Sequence, residues 1–259
     1  MFPDLFGIND FSYVLMILLG VIAAFAMLIL YLKKANLKTT AILDVLICAC
    51  FSILIGIIGA ILTQNLYEVV RDPQNYKWSW GMTFYGGLLF GAAAFIVLFK
   101  IAEKKEEGLT FRTILVIAPA CITLAHAFGR IGCLLAGCCY GIETNSWIGL
   151  DCSSVDHLKR VPTQLFESIF LFILSGGLAY LAFAKHFKYT FPVYLFLYGI
   201  FRFVIEFFRD DDRGGLAVGL SPSQYWCIAL VVLSIPLVYL LRFVIYKEKG
   251  FSYEQKENN

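Results

Sequence analysis

The chain has 259 residues, of which 59% are hydrophobic and 15% charged, with a formal net charge of +2. A water-soluble globular chain carries about 25% charged residues, so an ordinary soluble enzyme is excluded. The near balance of 21 Lys+Arg against 19 Asp+Glu lacks the basic stripe of a nucleic-acid binder, and no nucleic-acid partner is expected.

A bilayer core demands about 20 apolar residues per helix. In chain order seven stretches qualify, at residues 12–32, 41–62, 82–99, 112–132, 164–183, 191–208 and 224–245. The expected fold is an all-α integral membrane protein: a seven-helix bundle forming a single transmembrane domain over residues 1–259. Lys and Arg are retained on the cytoplasmic side. They concentrate in the connections holding Lys33 and Lys38, Lys104 and Arg112, Lys185 and Lys188, and in the tail with Arg242 and Lys247. The amino terminus is therefore expected outside and the carboxyl terminus in the cytoplasm. The first residues carry Asp4 and Asp10 but no Lys or Arg, so no cleavable signal is expected.

Ionisable residues at membrane depth cost about 2.5–3.5 kcal/mol each on the insertion scale and mark candidate sites. The sixth span places Tyr198, Arg202 and Glu206 at i, i+4 and i+8, along one stripe of a helix. The fourth ends with His126 and Arg130 one turn apart. Tyr85 opens the third span, Gln164 and Glu167 the fifth, and Gln224 the seventh, all at the outer level. Each residue also has a plainer role open to it: a self-neutralised Arg–Glu pair, an interfacial anchor, a helix-to-helix hydrogen bond. Convergence from separate spans favours a site. Arg130 and Arg202 together form a candidate clamp for a phospholipid headgroup, with Tyr198 and Gln224 beside them, because the guanidinium fork binds two oxygens at once.

Four stretches, taken in order, resemble the prolipoprotein diacylglyceryl transferase family. They are Met-Thr-Phe-Tyr-Gly-Gly at 82–87, Gly-Arg-Ile-Gly at 129–132 running on to Gly137 and Gly141, Pro-Thr-Gln-Leu-Phe-Glu at 162–167, and the 198–209 stripe followed by Ser-Pro-Ser-Gln at 221–224. The resemblance implies a multi-pass enzyme of the bacterial inner membrane. It would transfer the diacylglyceryl group of phosphatidylglycerol to the lipobox Cys of a prolipoprotein signal peptide, releasing glycerol phosphate and needing no cofactor. It carries Arg202 and Glu206 into the catalytic set, and because the family's third-span His is absent here, His126 and Tyr85 are the candidates for the base. The arginines would stabilise the departing phosphate and Glu206 would orient Arg202. His126 would serve as base, with Tyr85 the weaker alternative because its ordinary pKa is near 10.

The sequence departs from the family where the signature normally carries two Asn and a Glu, since those places hold Cys133, Ala136 and Cys138. Tyr85 stands where the family usually has His. Cys133, Cys138, Cys139 and Cys152 cluster toward the outer face and leave three readings open: a disulfide, thiols replacing the polar groups, or a metal or redox site. Their spacing is not a common zinc pattern, and no metal site is assigned. Two alternative functions stay open: a related transferase with a different acceptor, and a membrane protein whose outer thiols do redox work.

Overall fold

A computed structural model of the chain describes residues 11–74, 76–106, 108–151, 158–210 and 220–245. Seven α-helices are found among the described residues: α1 (Phe11–Lys34), α2 (Thr39–Arg71), α3 (Phe84–Lys105), α4 (Phe111–Ala136), α5 (Thr163–Phe183), α6 (Thr190–Glu206) and α7 (Pro222–Leu240), which runs on into a π-helical turn at Leu241–Ile245. Six helices are long and apolar enough to cross a membrane. The remaining one, α6, has 17 residues. Large apolar side chains such as Ile22, Val70 and Ile173 are more than 60% exposed, as suits a surface facing lipid. The chain is an integral membrane protein with several crossings; among the described residues the extended backbone pairs in one small ladder, β1 (Leu150–Asp151) against β2 (Lys159–Arg160), and in isolated bridges at Gly141–Arg209 and Glu143–Arg160.

Two compact units are distinguished, Leu32–Thr113 and the remainder, Met1–Tyr31 with Ile114–Asn259. In the first of these, α2 and α3 form an antiparallel hairpin. A Cβ on Gly56 would stand 3.1 Å from the Gly87 carbonyl, and one on Gly91 would stand 3.2 Å from that of Ser52, so glycine lets the two backbones approach. Helix α2 continues to Arg71, past the apolar run that ends near residue 62. Its polar side chains there return hydrogen bonds to the helix: Thr63 to the Gly59 carbonyl at 2.8 Å and Asn65 to that of Ile61 at 2.8 Å.

The larger unit holds α4, α5 and α6, which carry most of the ionisable residues discussed below. Ser168 and Ser175, seven residues apart on α5, donate to the carbonyls of Ala127 and Ala120, seven apart on α4, at 3.0 and 2.9 Å. These two rungs fix the antiparallel register of the pair. Pro119 lacks an N–H, so the Leu115 carbonyl one turn back loses its helical donor. Thr190, the first residue of α6, supplies a substitute, with its hydroxyl 2.7 Å from the Val116 carbonyl and 3.5 Å from that of Leu115. Thr190→Val keeps the shape and deletes the donor. It should lower stability by about 1–3 kcal/mol, read as a lower Tm in detergent, whereas Thr190→Ser should stay near the parent.

The segment after α4 also has defined structure. Gly137 N–H bonds to the Leu134 carbonyl and Cys138 N–H to that of Cys133, at 3.2 and 3.1 Å, and Gly137 takes φ +74°. This is a Schellman closure, with glycine in the left-handed position that ends the helix. The chain then passes between neighbours: Gly141 N–H bonds to Val161 and Ile142 N–H to Phe208. A Cβ at Gly141 would meet both carbonyls at 2.5 and 2.6 Å, so the threading requires glycine.

Candidate functional site

Glu167, on the first turns of α5, is completely buried and sits at the centre of the ionisable residues. Its Oε2 lies 3.0 Å from Arg130 Nε of α4 and 3.8 Å from Arg202 Nη1 of α6. Its Oε1 accepts a hydrogen bond from the Tyr198 hydroxyl at 3.0 Å and lies 3.8 Å from His126 Nε2. The His126 and Tyr198 rings meet edge to face at 5.5 Å. Residues from three helices thus converge on one carboxylate.

Arg202 is held from its other side by Glu206, with Nη2 to Oε2 at 2.6 Å across one helical turn. Glu206 Oε1 accepts from the Ser221 hydroxyl at 2.9 Å. Ser221 is the N-cap of α7 and forms a capping box with Gln224: the Ser221 hydroxyl accepts from the Gln224 N–H, and the Gln224 side chain accepts from the Ser221 N–H. The network therefore ends on a helix cap, and the carbonyl of Gln224 is committed to that cap.

Arg130 Nε and Arg202 Nη1 are buried, and neither makes an aligned hydrogen bond despite its proximity to Glu167. Attraction between the charges is present while directed donor capacity is left over. A buried ion of this kind costs several kcal/mol in lost hydration, so guanidinium donors that Glu167 and Glu206 leave unused are suited to an additional anionic partner.

Tyr198, Arg202, Glu206, His126 and Arg130 all fall within this connected cluster. The Tyr85 side chain lies outside the described residues, as does Cys152. Cys133, Cys138 and Cys139 come together at the end of α4, with their sulfur atoms all within 4.8 Å of one another, and no disulfide joins the described cysteines. Gln164 Nε2 donates to the Cys138 carbonyl at 2.6 Å and Thr163 Oγ1 to that of Cys139 at 2.9 Å. The Cys139 thiol is held below its ordinary pKa by hydrogen bonds with the Cys133 and Cys138 thiols and by the nearby Arg209 guanidinium.

Glu167, Ser221 and Arg209 carry parts of the network but were not among the residues assigned catalytic or binding roles. Glu167 was counted with the polar groups converging at the outer level and closes the family-like stretch 162–167, without a sign of which side chains it faces.

The model of the family described as "Prolipoprotein diacylglyceryl transferase" matches residues 4–240. The chain is 32% identical over 253 residues to a phosphatidylglycerol–prolipoprotein diacylglyceryl transferase of Clostridium tetani, covering 93% of this chain and 96% of that one. It is 33% identical to phosphatidylglycerol–prolipoprotein diacylglyceryl transferase 2 of Clostridium perfringens, covering 95% and 97%. A transferase of the same name from Streptococcus uberis is also 33% identical, covering 94% of each chain. A polytopic helical protein with a buried arginine–carboxylate cluster is the class that the fold and site define. The chain belongs to the prolipoprotein diacylglyceryl transferase family.

Removing the Glu167 carboxylate takes from Arg130 its ion-pair partner and leaves Arg202 with Glu206. Glu167→Gln should destabilise the protein by about 3–5 kcal/mol. In a double-mutant cycle with Arg130→Gln, the two losses should fall short of additivity by about 0.5–3 kcal/mol. Denaturation in detergent measures both quantities, and strict additivity would show that the pair does not interact.

Proposed function

We propose that this chain transfers the diacylglyceryl group of phosphatidylglycerol to the lipobox cysteine thiol of a prolipoprotein, releasing glycerol phosphate. The observation that carries the reading is the convergence of Arg130 and Arg202, from α4 and α6, on the single carboxylate of Glu167. Two guanidiniums fixed in this way form a preorganised anion site, and the anion a membrane offers in quantity is a lipid phosphate.

In the reaction the acceptor thiolate attacks the glyceryl carbon. An S–C bond forms, the C–O bond to phosphate breaks, and the electron pair leaves with glycerol phosphate. Charge grows on the leaving phosphate, where Arg130 and Arg202 act as electrostatic stabilisers. Glu206 orients Arg202 through its 2.6 Å contact, and Glu167 positions both arginines. Tyr198 belongs to the headgroup surround through its bond to Glu167. Gln224 contributes by holding the α7 cap on which the Ser221–Glu206 bond depends.

His126 is the base in this reading. Its side chain is 26% exposed and reaches the cluster at Glu167, and an imidazole is suited to proton transfer near neutrality. Tyr85 is the weaker alternative.

The chain acts as one transmembrane domain in the bacterial inner membrane, entered by its lipid and signal-peptide substrates from the outer side. All seven helices cross, with the amino terminus outside and the carboxyl tail in the cytoplasm. The 17 residues of α6 reach the lower end of the length a span needs, and the Lys and Arg of the connections set the orientation.

The test is transfer of labelled diacylglycerol from phosphatidylglycerol to a lipobox peptide by the purified protein, with glycerol phosphate measured alongside. Arg130→Lys and Arg202→Lys keep the charge and lose the fork. Each should lower kcat by about 10²–10³-fold. Full activity in both variants would overturn the clamp, and undiminished transfer by His126→Ala would remove His126 as base. Glycerol phosphate release without peptide labelling would point to a different acceptor.

A further inference from the structure

The three thiols at the end of α4 lie beside the arginine cluster, and the steps above give them no part. Cys133 is one helical turn beyond Arg130 on α4, on the same face. The Schellman closure brings Cys138 back over Cys133 by bonding the N–H of one to the carbonyl of the other at 3.1 Å. Cys139 then takes φ +63°, the left-handed region that side chains other than glycine seldom adopt. Two fully buried side chains of α5 hold this turn by its carbonyls, Gln164 on Cys138 and Thr163 on Cys139. Three sulfurs within 4.8 Å of one another are thus placed by backbone that is fixed on both sides.

In a tetrahedral zinc site with Zn–S of about 2.3 Å, the sulfurs stand about 3.8 Å apart, so closing these three on an ion needs shifts well under about 1 Å each. Three thiolates and a dication carry one net negative charge, and the Arg209 guanidinium near the Cys139 thiol stands ready to balance it. Cys133 and Cys139 are half-buried while Cys138 is exposed, which leaves one side of the triad open. Three protein ligands with an open position is the arrangement of catalytic zinc sites, whereas structural sites close with four.

We propose that Cys133, Cys138 and Cys139 bind one Zn2+ ion through their thiolates, and that its open position takes up the acceptor cysteine thiol as the nucleophile. The second half rests on the transfer reading above. Coordination deprotonates a thiol outright. The acceptor proton passes to solvent as the Zn–S bond forms, and the bound sulfur then attacks the glyceryl carbon while the C–O bond breaks toward the phosphate held by Arg130 and Arg202. No oxidant or reductant enters. The cysteines that stand in place of the family's usual polar residues would then supply thiol activation in their own way, relieving His126 of that task.

The test uses the full-length protein in detergent, reduced and stripped of metal, titrated anaerobically with Co2+ as a spectroscopic substitute for Zn2+. One equivalent should bind with thiolate-to-metal charge transfer and tetrahedral ligand-field bands, and Zn2+ should displace it. Cys133→Ser, Cys138→Ser and Cys139→Ser should each weaken binding at least tenfold, and Cys121→Ser should leave it unchanged. If the serine variants do not fold, alkylation of the parent protein mapped by mass spectrometry serves instead: one equivalent of Zn2+ should protect those three thiols. Substoichiometric binding, a spectrum without charge transfer, or a disulfide among the three that persists in the isolated protein would overturn the metal site.

For the acceptor, a lipobox peptide should shift the Co2+ bands and its Cys→Ser counterpart should not. An unshifted spectrum overturns that half. The two readings fail separately. Transfer at full rate by the stripped protein sinks the metal's role and keeps the transferase, whereas an intact peptide-shifted Co2+ spectrum with no transfer to any lipobox peptide keeps the site and sinks the transferase.

Discussion

A carboxylate buried to zero exposure, Glu167, is the constraint on which the rest depends. Each ion moved out of water costs several kcal/mol, and an ion pair recovers this only when its geometry is good. Glu167 meets Arg130, Arg202, Tyr198 and His126 only if α4, α5 and α6 hold one relative rotation. The hydroxyl ladder supplies it for α4 and α5, and the Thr190 hydroxyl ties α6 to α4 at the Val116 carbonyl. Ser168 is the residue after Glu167, its acceptor Ala127 is the residue after His126, and that rung measures 3.0 Å. Since successive residues on a helix point about 100° apart, a slip of one residue would turn Glu167 away from both arginines. The fold's register and the site's geometry are therefore set by neighbouring bonds.

The same economy continues outward. Arg202 is fixed by Glu206, Glu206 by Ser221, and Ser221 by its capping partnership with Gln224. A helix N-terminus has unsatisfied N–H groups that must find acceptors. Here the residue that satisfies one of them also donates to the carboxylate that aligns the arginine. The cap is thus joined to Arg202 through Ser221 and Glu206. Gln224 holds that cap by accepting from the Ser221 N–H.

The helices were legible because lipid demands long apolar runs, and every one of the seven expected stretches coincides with an observed helix. Their ends were less so. Helix α2 runs nine residues beyond its apolar run because Thr63, Gln64 and Asn65 satisfy themselves on the helix and its neighbours, which hydropathy does not register. Within the site, pairs that share one helix were readable from spacing alone, as with Arg202 and Glu206 or His126 and Arg130. Glu167 was visible as one of several converging polar residues but not as their centre, because its meaning lies in what α4 and α6 bring to it. The strand pairing of the loop and the need for Gly141 were hidden for a similar reason: the two carbonyls that crowd it belong to residues 161 and 208, far away in sequence.

The cysteines show what spacing alone does not register. Cys133, Cys138 and Cys139 do not match the intervals of common zinc motifs, which are set by ligands on loops or on a regular helix. In this chain a glycine-closed helix end folds six residues into one turn and a left-handed Cys139 reverses the chain again, so sulfurs five and six positions apart arrive together. Left-handed backbone at a non-glycine residue costs on the order of 1–3 kcal/mol and persists where surrounding contacts enforce it. The enforcing contacts are buried hydrogen bonds from Thr163 and Gln164, the residues that begin the helix carrying Glu167. One helix start therefore holds the thiol turn from its first two positions and the arginine clamp from its fifth. In the proposed reaction, a sulfur nucleophile joins a carbon bearing a phosphate leaving group, and α4 and α5 would together hold those two groups at a fixed separation, since α4 carries both Arg130 and Cys133.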